Sequence, residues 1–216
     1  MRSQQSGFTL VEIAIVLVII GLLLGGILKG QELINSAKVK NIANDFRVIP
    51  TYIYAYQDKF KALPGDDSNV VAHLGTLTPA ATAGNGNGVI DGAILPTPTG
   101  EALQFWQQVR AANLAAGPTD PADPTYVPTN AVGGVISVSS MSSGQVWIAN
   151  MTGSYQICSK GILGKFVKQL DIQMDDGNTQ TGAMRAVVDT QAAAGGTPVV
   201  TATLDEAAAH TVCMSF

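Results

Sequence analysis

An apolar run near the N-terminus dominates the hydrophobic pattern of the chain. It extends from Phe8 to Leu28 and contains a single ionisable side chain, Glu12. As a helix it would be about 31 Å long, close to the roughly 30 Å thickness of the hydrocarbon layer of a bilayer. We therefore expect a transmembrane helix. Burying Glu12 in lipid costs about 2–4 kcal/mol, so this residue should have a partner or lie near an interface.

Beyond Lys29 the pattern becomes amphipathic and predicts that the same helix continues to about Lys61. Apolar residues recur at steps of three and four, which places them on one face of a helix. Pro50 lacks a backbone donor and clashes with the preceding turn, so we expect a kink there. The apolar stripe, which should pack in the core of a folded head, comprises Ile42, Phe46, Ile49, Ile53, Tyr56, Phe60 and Leu63.

The rest of the chain has the pattern of a mixed α and β domain. Leu63-Pro64-Gly65-Asp66-Asp67 predicts a helix stop and a turn. Residues 101–115, with Trp106 as a core anchor, predict a short helix, and a second short helix is expected from Ile162 to an end at Asp175-Asp176-Gly177. Strands are expected at 135–139, 145–151, 155–158, 183–188, 199–204 and 211–216. The predicted class is α+β, with a long kinked N-terminal helix, transmembrane in its first half, packed on an antiparallel β-sheet head.

The residues before the apolar run are unlike a secretory signal peptide, in which the cleavage site follows the apolar part. Here a short polar leader precedes the run and ends in Gly7. The sequence Gly7-Phe8-Thr9-Leu10-Val11-Glu12, followed by an apolar helix, resembles the N-terminus of type IV pilins and pseudopilins. The resemblance implies three parts: a prepilin leader (1–7), a transmembrane and assembly helix (8–61) and a pilin-like head (62–216).

The same resemblance implies how the precursor is processed and assembled. A prepilin peptidase and N-methyltransferase would cut between Gly7 and Phe8 and methylate the new amine of Phe8. Glu12 would pair with the Phe8 amine of a neighbouring subunit in a homo- or hetero-polymer. Breaking such a pair in low dielectric typically costs about 3–5 kcal/mol. The alternative for Glu12 is an interfacial acid in an ordinary membrane anchor.

The net charge of the chain restricts the classes of partner that we expect it to bind. The whole chain has a formal net charge of −4, and it becomes more acidic when Arg2 is removed with the leader. Net charge therefore does not indicate a nucleic-acid-binding surface. Lysines follow the apolar run and Arg2 precedes it, so the positive-inside rule does not fix the orientation. The resemblance alone places the precursor in the inner membrane and the product in an extracellular pilus or a periplasmic pseudopilus.

The only two cysteines, Cys158 and Cys213, both lie in the predicted head. In an oxidising compartment an even pair suggests a disulfide. Closing a loop of about 55 residues would stabilise the fold by roughly 4 kcal/mol on the chain-entropy model. Two buried free thiols are the alternative.

The run from Asn85 to Asp91 resembles a calcium loop, in which oxygen ligands alternate along a tight turn. Ala83 and Ile94 stand where two further ligands would be needed, so two oxygens are missing. Asp66 and Asp67 would supply them if the preceding loop folds back. The alternative is a Gly- and Asn-rich turn without a metal. The candidate calcium ligands are Asn85, Asn87, Val89 and Asp91.

A second acidic cluster consists of Asp171, Asp175, Asp176 and Asn178. The run Asp175-Asp176-Gly177-Asn178 resembles a segment found in larger prepilin-like proteins. We interpret the cluster as the end of a helix followed by an exposed turn. A metal site or a subunit contact is the alternative.

Signals for enzyme chemistry are poor. His73 and His210 are the only imidazoles, and no nucleophile elbow, phosphate loop or Cys-x-x-Cys motif occurs. We expect no catalytic residues and no cofactor other than a possible calcium ion. The function predicted from the resemblance is a structural subunit of a type IV pilus-like filament. The alternatives are a type II secretion pseudopilin and a membrane-anchored, calcium-dependent adhesin or binding protein.

Overall fold

The computed structural model describes residues 9–141, 146–191 and 194–216. The chain divides into two compact units, Met1–Lys38 and Val39–Phe216. The first helix, α1, extends from Leu10 to Phe60 and contributes to both units. It is followed in the second unit by α2 (Val70–Leu74), α3 (Gly100–Ala111) and α4 (Gly164–Met174).

Burial along α1 changes where the first unit ends. Every described residue from Thr9 to Lys29 is exposed, whereas buried residues recur from Val39 onward. The helix is assigned continuously through Pro50, and the kink there stays a prediction. Phe60 is half-buried, and Leu63 lies just beyond the helix and is buried. The predicted stripe is confirmed at its buried members Ile42, Phe46, Ile49, Ile53 and Tyr56.

A four-stranded antiparallel sheet forms the β part of the second unit. Its strands are β1 (Ile136–Ser140), β2 (Tyr155–Leu163), β3 (Met184–Val188) and β4 (Ala209–Ser215). Their order is β1-β2-β4-β3, so β2 and β4 are the central strands. The long apolar helix and this sheet confirm the α+β class.

The core joins the distal part of α1, the helix α3 and the sheet. Trp106 of α3 is only 3% exposed and confirms its predicted role as an anchor. A second, smaller cluster lies around Trp147, Ile148 and the two cysteines. The main cluster includes Ile42, Phe46, Ile53, Phe105, Trp106, Val138, Ile157 and Val212.

Three local predictions are wrong. Residues 146–151 form turns and one isolated bridge, Ile148 to Gly196. Their apolar side chains suggested a strand, but they are buried in the smaller core cluster without pairing along a neighbouring strand. Thr201–Thr203 is a 3-10 helix within the expected strand 199–204. The strand β2 continues to Leu163, because Ile162 and Leu163 pair with β4, so the helix α4 starts two residues later than expected.

Candidate functional site

The N-terminal segment is described from Thr9 onward, and the predicted cleavage and methylation residues Gly7 and Phe8 lie outside the described residues. Glu12 Oε2 accepts hydrogen bonds from the Thr9 backbone N–H at 2.8 Å and from the Thr9 hydroxyl at 2.7 Å. The Glu12 N–H is 3.3 Å from Thr9 Oγ1. This reciprocal arrangement is a capping box, which satisfies backbone donors that the first turn of a helix leaves free.

The helix that follows exposes an almost entirely apolar surface. It contains the single described segment that is long and apolar enough to cross a membrane, and none of that apolar window is buried. Gly21, Gly25, Gly26 and Gly30 all lie open: apart from adjacent residues and the local helix backbone, no described atom lies within 4 Å of the position a Cβ would take. Small residues at such spacing allow close approach of helix backbones in lipid. Among the described residues, this segment therefore presents an exposed apolar surface that includes several small residues.

Residues 2–28 match the family model for the prokaryotic N-terminal methylation motif. The chain carries the type IV pilin and pseudopilin signature. Comparison with curated proteins and with solved structures found no match. The signature covers residues 2–28 only, and the remainder of the chain is described by its own structure alone.

The signature indicates in general terms what the N-terminal segment does. It points to a structural subunit that is processed by a prepilin peptidase and assembled with other pilin subunits. The apolar helix is consistent with a precursor anchored in a membrane. The predicted pairing of Glu12 with a neighbouring Phe8 amine stays a prediction.

In the head of the pilin-like chain, Cys158 and Cys213 form a disulfide, as predicted. The two residues are direct partners in the register of the central strands β2 and β4, with their Cα atoms 4.1 Å apart. Both are completely buried. The bond therefore joins two strands that are already neighbours and fixes their register within the smaller core cluster.

The loop predicted as a calcium site folds around the carboxylate of Asp66. Oδ1 of Asp66 accepts the backbone N–H groups of Gly86 and Asn87 at 2.6 and 3.1 Å, and Oδ2 accepts that of Gly88 at 2.7 Å. Asp66 is only 4% exposed. The chain therefore folds back at Asp66, which is the condition under which this residue would supply a missing ligand.

A second carboxylate, Glu101, closes the same loop. Its Oε1 accepts the N–H of Asn85 and its Oε2 accepts the N–H of Asp91, both at 2.9 Å. Burial raises the pKa of Glu101, the two N–H donors oppose that shift, and the charges of Asp66 and Asp91 add to it. The sequence analysis missed this residue. Its signal was an acidic side chain in the first turn of a predicted helix, where the positive end of the helix dipole favours it.

The predicted calcium ligands lie together, but hydrogen bonds already occupy them. The side-chain oxygens of Asn85 and Asn87 accept the N–H groups of Asn87 and Val89 at 2.9 and 2.8 Å. The Asn87 amide donates to Asp91 Oδ2 at 2.9 Å. Asp67 contacts Tyr56 and His73 instead of the loop. The described contacts are those of a Gly- and Asn-rich turn, and calcium binding here stays a prediction.

The second acidic cluster lies where α4 ends. One oxygen from each of Asp171, Asp175 and Asp176 lies within 4.8 Å of the other two. Asp171 is 1% exposed, and Asp176 is exposed. Burial raises the pKa of Asp171 to about 6, and the charges of Asp176 and Asp175 act in the same direction.

Both histidines make contacts that are typical of a structural role. His73 Nδ1 is 2.7 Å from Asp67 Oδ2, and its ring stacks on Phe60 at a centroid distance of 5.2 Å. His210 is buried in β4, with Nδ1 3.0 Å from the carbonyl oxygen of Ala208. Neither imidazole contacts a serine or cysteine nucleophile among the described residues.

Proposed function

We propose that this protein is a structural subunit of a type IV pilus-like filament. In this proposal a prepilin peptidase cuts between Gly7 and Phe8, the Phe8 amine is methylated, and the subunit polymerises through its N-terminal helix. The methylation motif at residues 2–28 carries the proposal. The head supplies no catalytic function in this view, since the motif points to a structural subunit.

Assembly transfers the apolar helix from the inner membrane to the core of a fibre. The fully exposed surface of residues 9–29 supports this step, because so large an apolar area requires lipid or other helices around it. Glu12 gives the packing a register, since a carboxylate in low dielectric is stable only beside a cation. The methylated amine of Phe8 in the neighbouring subunit is that cation.

An extracellular pilus is favoured over a periplasmic secretion pseudopilus as the product. The head is large and its cysteines are widely spaced in sequence, both of which resemble pilins more than pseudopilins. The presence of Glu12 argues against the specialised tip subunit of secretion pseudopili, which in the resembled family usually lacks this acid. A type II secretion pseudopilin is the second candidate, and a membrane-anchored adhesin is the third.

The test is the intact mass of the protein recovered from a sheared cell-surface fraction. The proposal expects a mass that begins at methylated Phe8. Protein that keeps residues 1–7, or that is found only in the membrane, would overturn it in favour of an anchored binding protein. Processed protein confined to the periplasm would select the pseudopilus instead.

A further inference from the structure

The end of α4 contains a buried oxygen that its surroundings leave unsatisfied. Asp171 Oδ1 accepts the backbone N–H of Gly177 at 2.9 Å. Its other oxygen, Oδ2, is fully buried and has no close hydrogen-bond partner among the described residues, although the backbone N–H of Asn178 lies near enough to lower the pKa of this acid. A buried carboxylate oxygen without a close partner costs free energy comparable to a lost charged hydrogen bond, so a proton or a cation beside it is stabilising.

The carboxylates of Asp175 and Asp176 each place one oxygen within 4.8 Å of an oxygen of Asp171, and the fold holds both of them. Asp175 Oδ2 accepts the N–H of Met184, the first residue of β3, at 2.7 Å. Asp176 accepts the N–H of Asn178 at 2.8 Å and the hydroxyl of Thr181 at 2.6 Å. The carboxylates are therefore positioned by the turn before any ligand arrives, which lowers the entropic cost of binding one.

The electrostatic surroundings disfavour three acids here unless a cation is present. The carboxyl end of a helix carries partial negative charge, and the last turn of α4 has no basic residue. Arg185 is the basic side chain whose charge acts on Asp176. Its guanidinium donates to the carbonyl oxygens of Ala149 and Gly182 at 3.1 and 3.4 Å. No described salt bridge neutralises the cluster.

We propose that Asp171, Asp175 and Asp176 bind one calcium ion at the junction of α4 and β3. Oxygen-only ligands suit a hard divalent cation, and an irregular turn suits the flexible geometry of calcium better than the strict octahedron of magnesium. Water completes the coordination on the exposed side of Asp176. The ion would join the end of α4 to the start of β3 through Asp175. The proposal concerns the head only and does not depend on filament assembly.

The test uses the full chain in detergent, first freed of metal with a chelator and then dialysed against radioactive calcium near neutral pH. The wild type should bind calcium. Asp171→Asn and Asp176→Asn should each lower the stoichiometry by one ion, or weaken binding about tenfold or more, because affinity follows the number of charged ligands. Both changes keep an oxygen for the existing N–H bonds, so the turn should fold.

Two control variants separate this site from other sources of binding. Asp120→Asn removes an exposed acid whose Oδ1 accepts an N–H two residues ahead, as that of Asp176 does. It should bind calcium like the wild type. Asp91→Asn tests the loop around Asp66 and should leave the α4 ion in place. Calcium binding lost in Asp91→Asn but kept in Asp171→Asn would overturn the proposal, as would a wild type that binds no calcium.

Thermal unfolding gives a second readout on the same proteins. An ion that binds only the folded state raises the melting temperature by mass action. Calcium should therefore raise the melting temperature of the wild type and of Asp120→Asn, but raise that of Asp171→Asn less. An equal calcium-induced shift in Asp171→Asn and the wild type would contradict the assignment.

Discussion

Thr9 and Glu12 form a reciprocal capping box at the start of the apolar helix, with Thr9 donating to a single oxygen, Glu12 Oε2. The acid for which we predict a role in assembly thus already has a local role within one chain. The bonds that the structure describes use Oε2 and leave Oε1 available. The cap and an intermolecular ion pair are therefore compatible, and the cap would hold the carboxylate in place for the neighbouring amine.

This relationship suggests a comparison of two substitutions at Glu12. Glutamine at the same position still forms a capping box but carries no charge, whereas alanine loses both. If charge pairing drives assembly, Glu12→Gln and Glu12→Ala should both be cleaved normally and both be incorporated poorly into filaments. The measurement is the amount of processed protein in sheared and membrane fractions.

Glu32→Gln is the control, because Glu32 is also an exposed acid on α1 and its only described ion pair is with Lys29. It should be incorporated like the wild type. Normal incorporation of Glu12→Gln together with failure of Glu12→Ala would show that the cap, and not the charge, is what assembly requires.

The disulfide should contribute strongly to the stability of the head. The double substitution Cys158→Ala and Cys213→Ala removes a link across 55 residues of sequence. On the chain-entropy model this costs roughly 4 kcal/mol. The free energy of unfolding should fall by that order in chemical denaturation. A reductant should lower the stability of the wild type and leave the variant unchanged, whereas thiol labelling of the unfolded, unreduced wild type would contradict the bond.

The sequence allowed the prediction of features that depend on local pattern. The apolar run and the stripe from Ile42 to Tyr56 both follow from the spacing of residues close in sequence. Apart from the disulfide between the only two cysteines, features that depend on distant partners were not predicted. Ile162 and Leu163 look helical until β4 pairs with them. Glu101 joins the loop at Asn85 only because the chain folds back on itself.

Gly182 should be intolerant of any side chain. Its φ is +70°, and an added Cβ would overlap the Asp175 carboxylate. Gly195 has a φ of +79° but open space around the same position, so it controls for a positive φ without a clash. Gly182→Ala should lower the melting temperature more than Gly195→Ala, since it adds a steric clash to a cost of about 1–3 kcal/mol for a positive φ. Equal losses would mean that the turn relaxes around the new methyl group.

Glu101 should anchor the loop that includes Asn85 and Asp91. Removing its side chain in Glu101→Ala leaves two backbone N–H groups without their acceptors, at a cost of about 1–3 kcal/mol each. Glu101→Gln keeps one acceptor oxygen and should cost less. Thermal unfolding and limited proteolysis of the loop measure the difference. Glu206→Ala, which removes an exposed partner of Lys168, should have little effect by comparison.

Asp45 should make the head less stable as pH rises from about 4 to about 6. It lies half-buried on α1 beside a cavity that Tyr52 and Arg110 also line. Burial raises the pKa of Asp45 from 3.8 to about 6. Between these values the folded state holds more protons than the unfolded state, so the free energy of unfolding decreases as pH rises. Above about pH 6 this contribution is constant.

Asp45→Asn removes the charge while keeping the shape of the side chain. The free energy of unfolding should therefore decrease less between pH 4 and pH 6 in this variant than in the wild type. Because Asp45 is partly exposed, we expect a gain near neutral pH on the order of 1 kcal/mol, well below the full value of the shift. Unfolding curves of both proteins across this range, with a chelator present, measure it. Asp171 adds a slope of the same sign to both proteins, which the comparison cancels. Asp58→Asn, at an exposed position, should leave the wild-type profile unchanged, and an Asp45→Asn profile parallel to that of the wild type would refute the assignment.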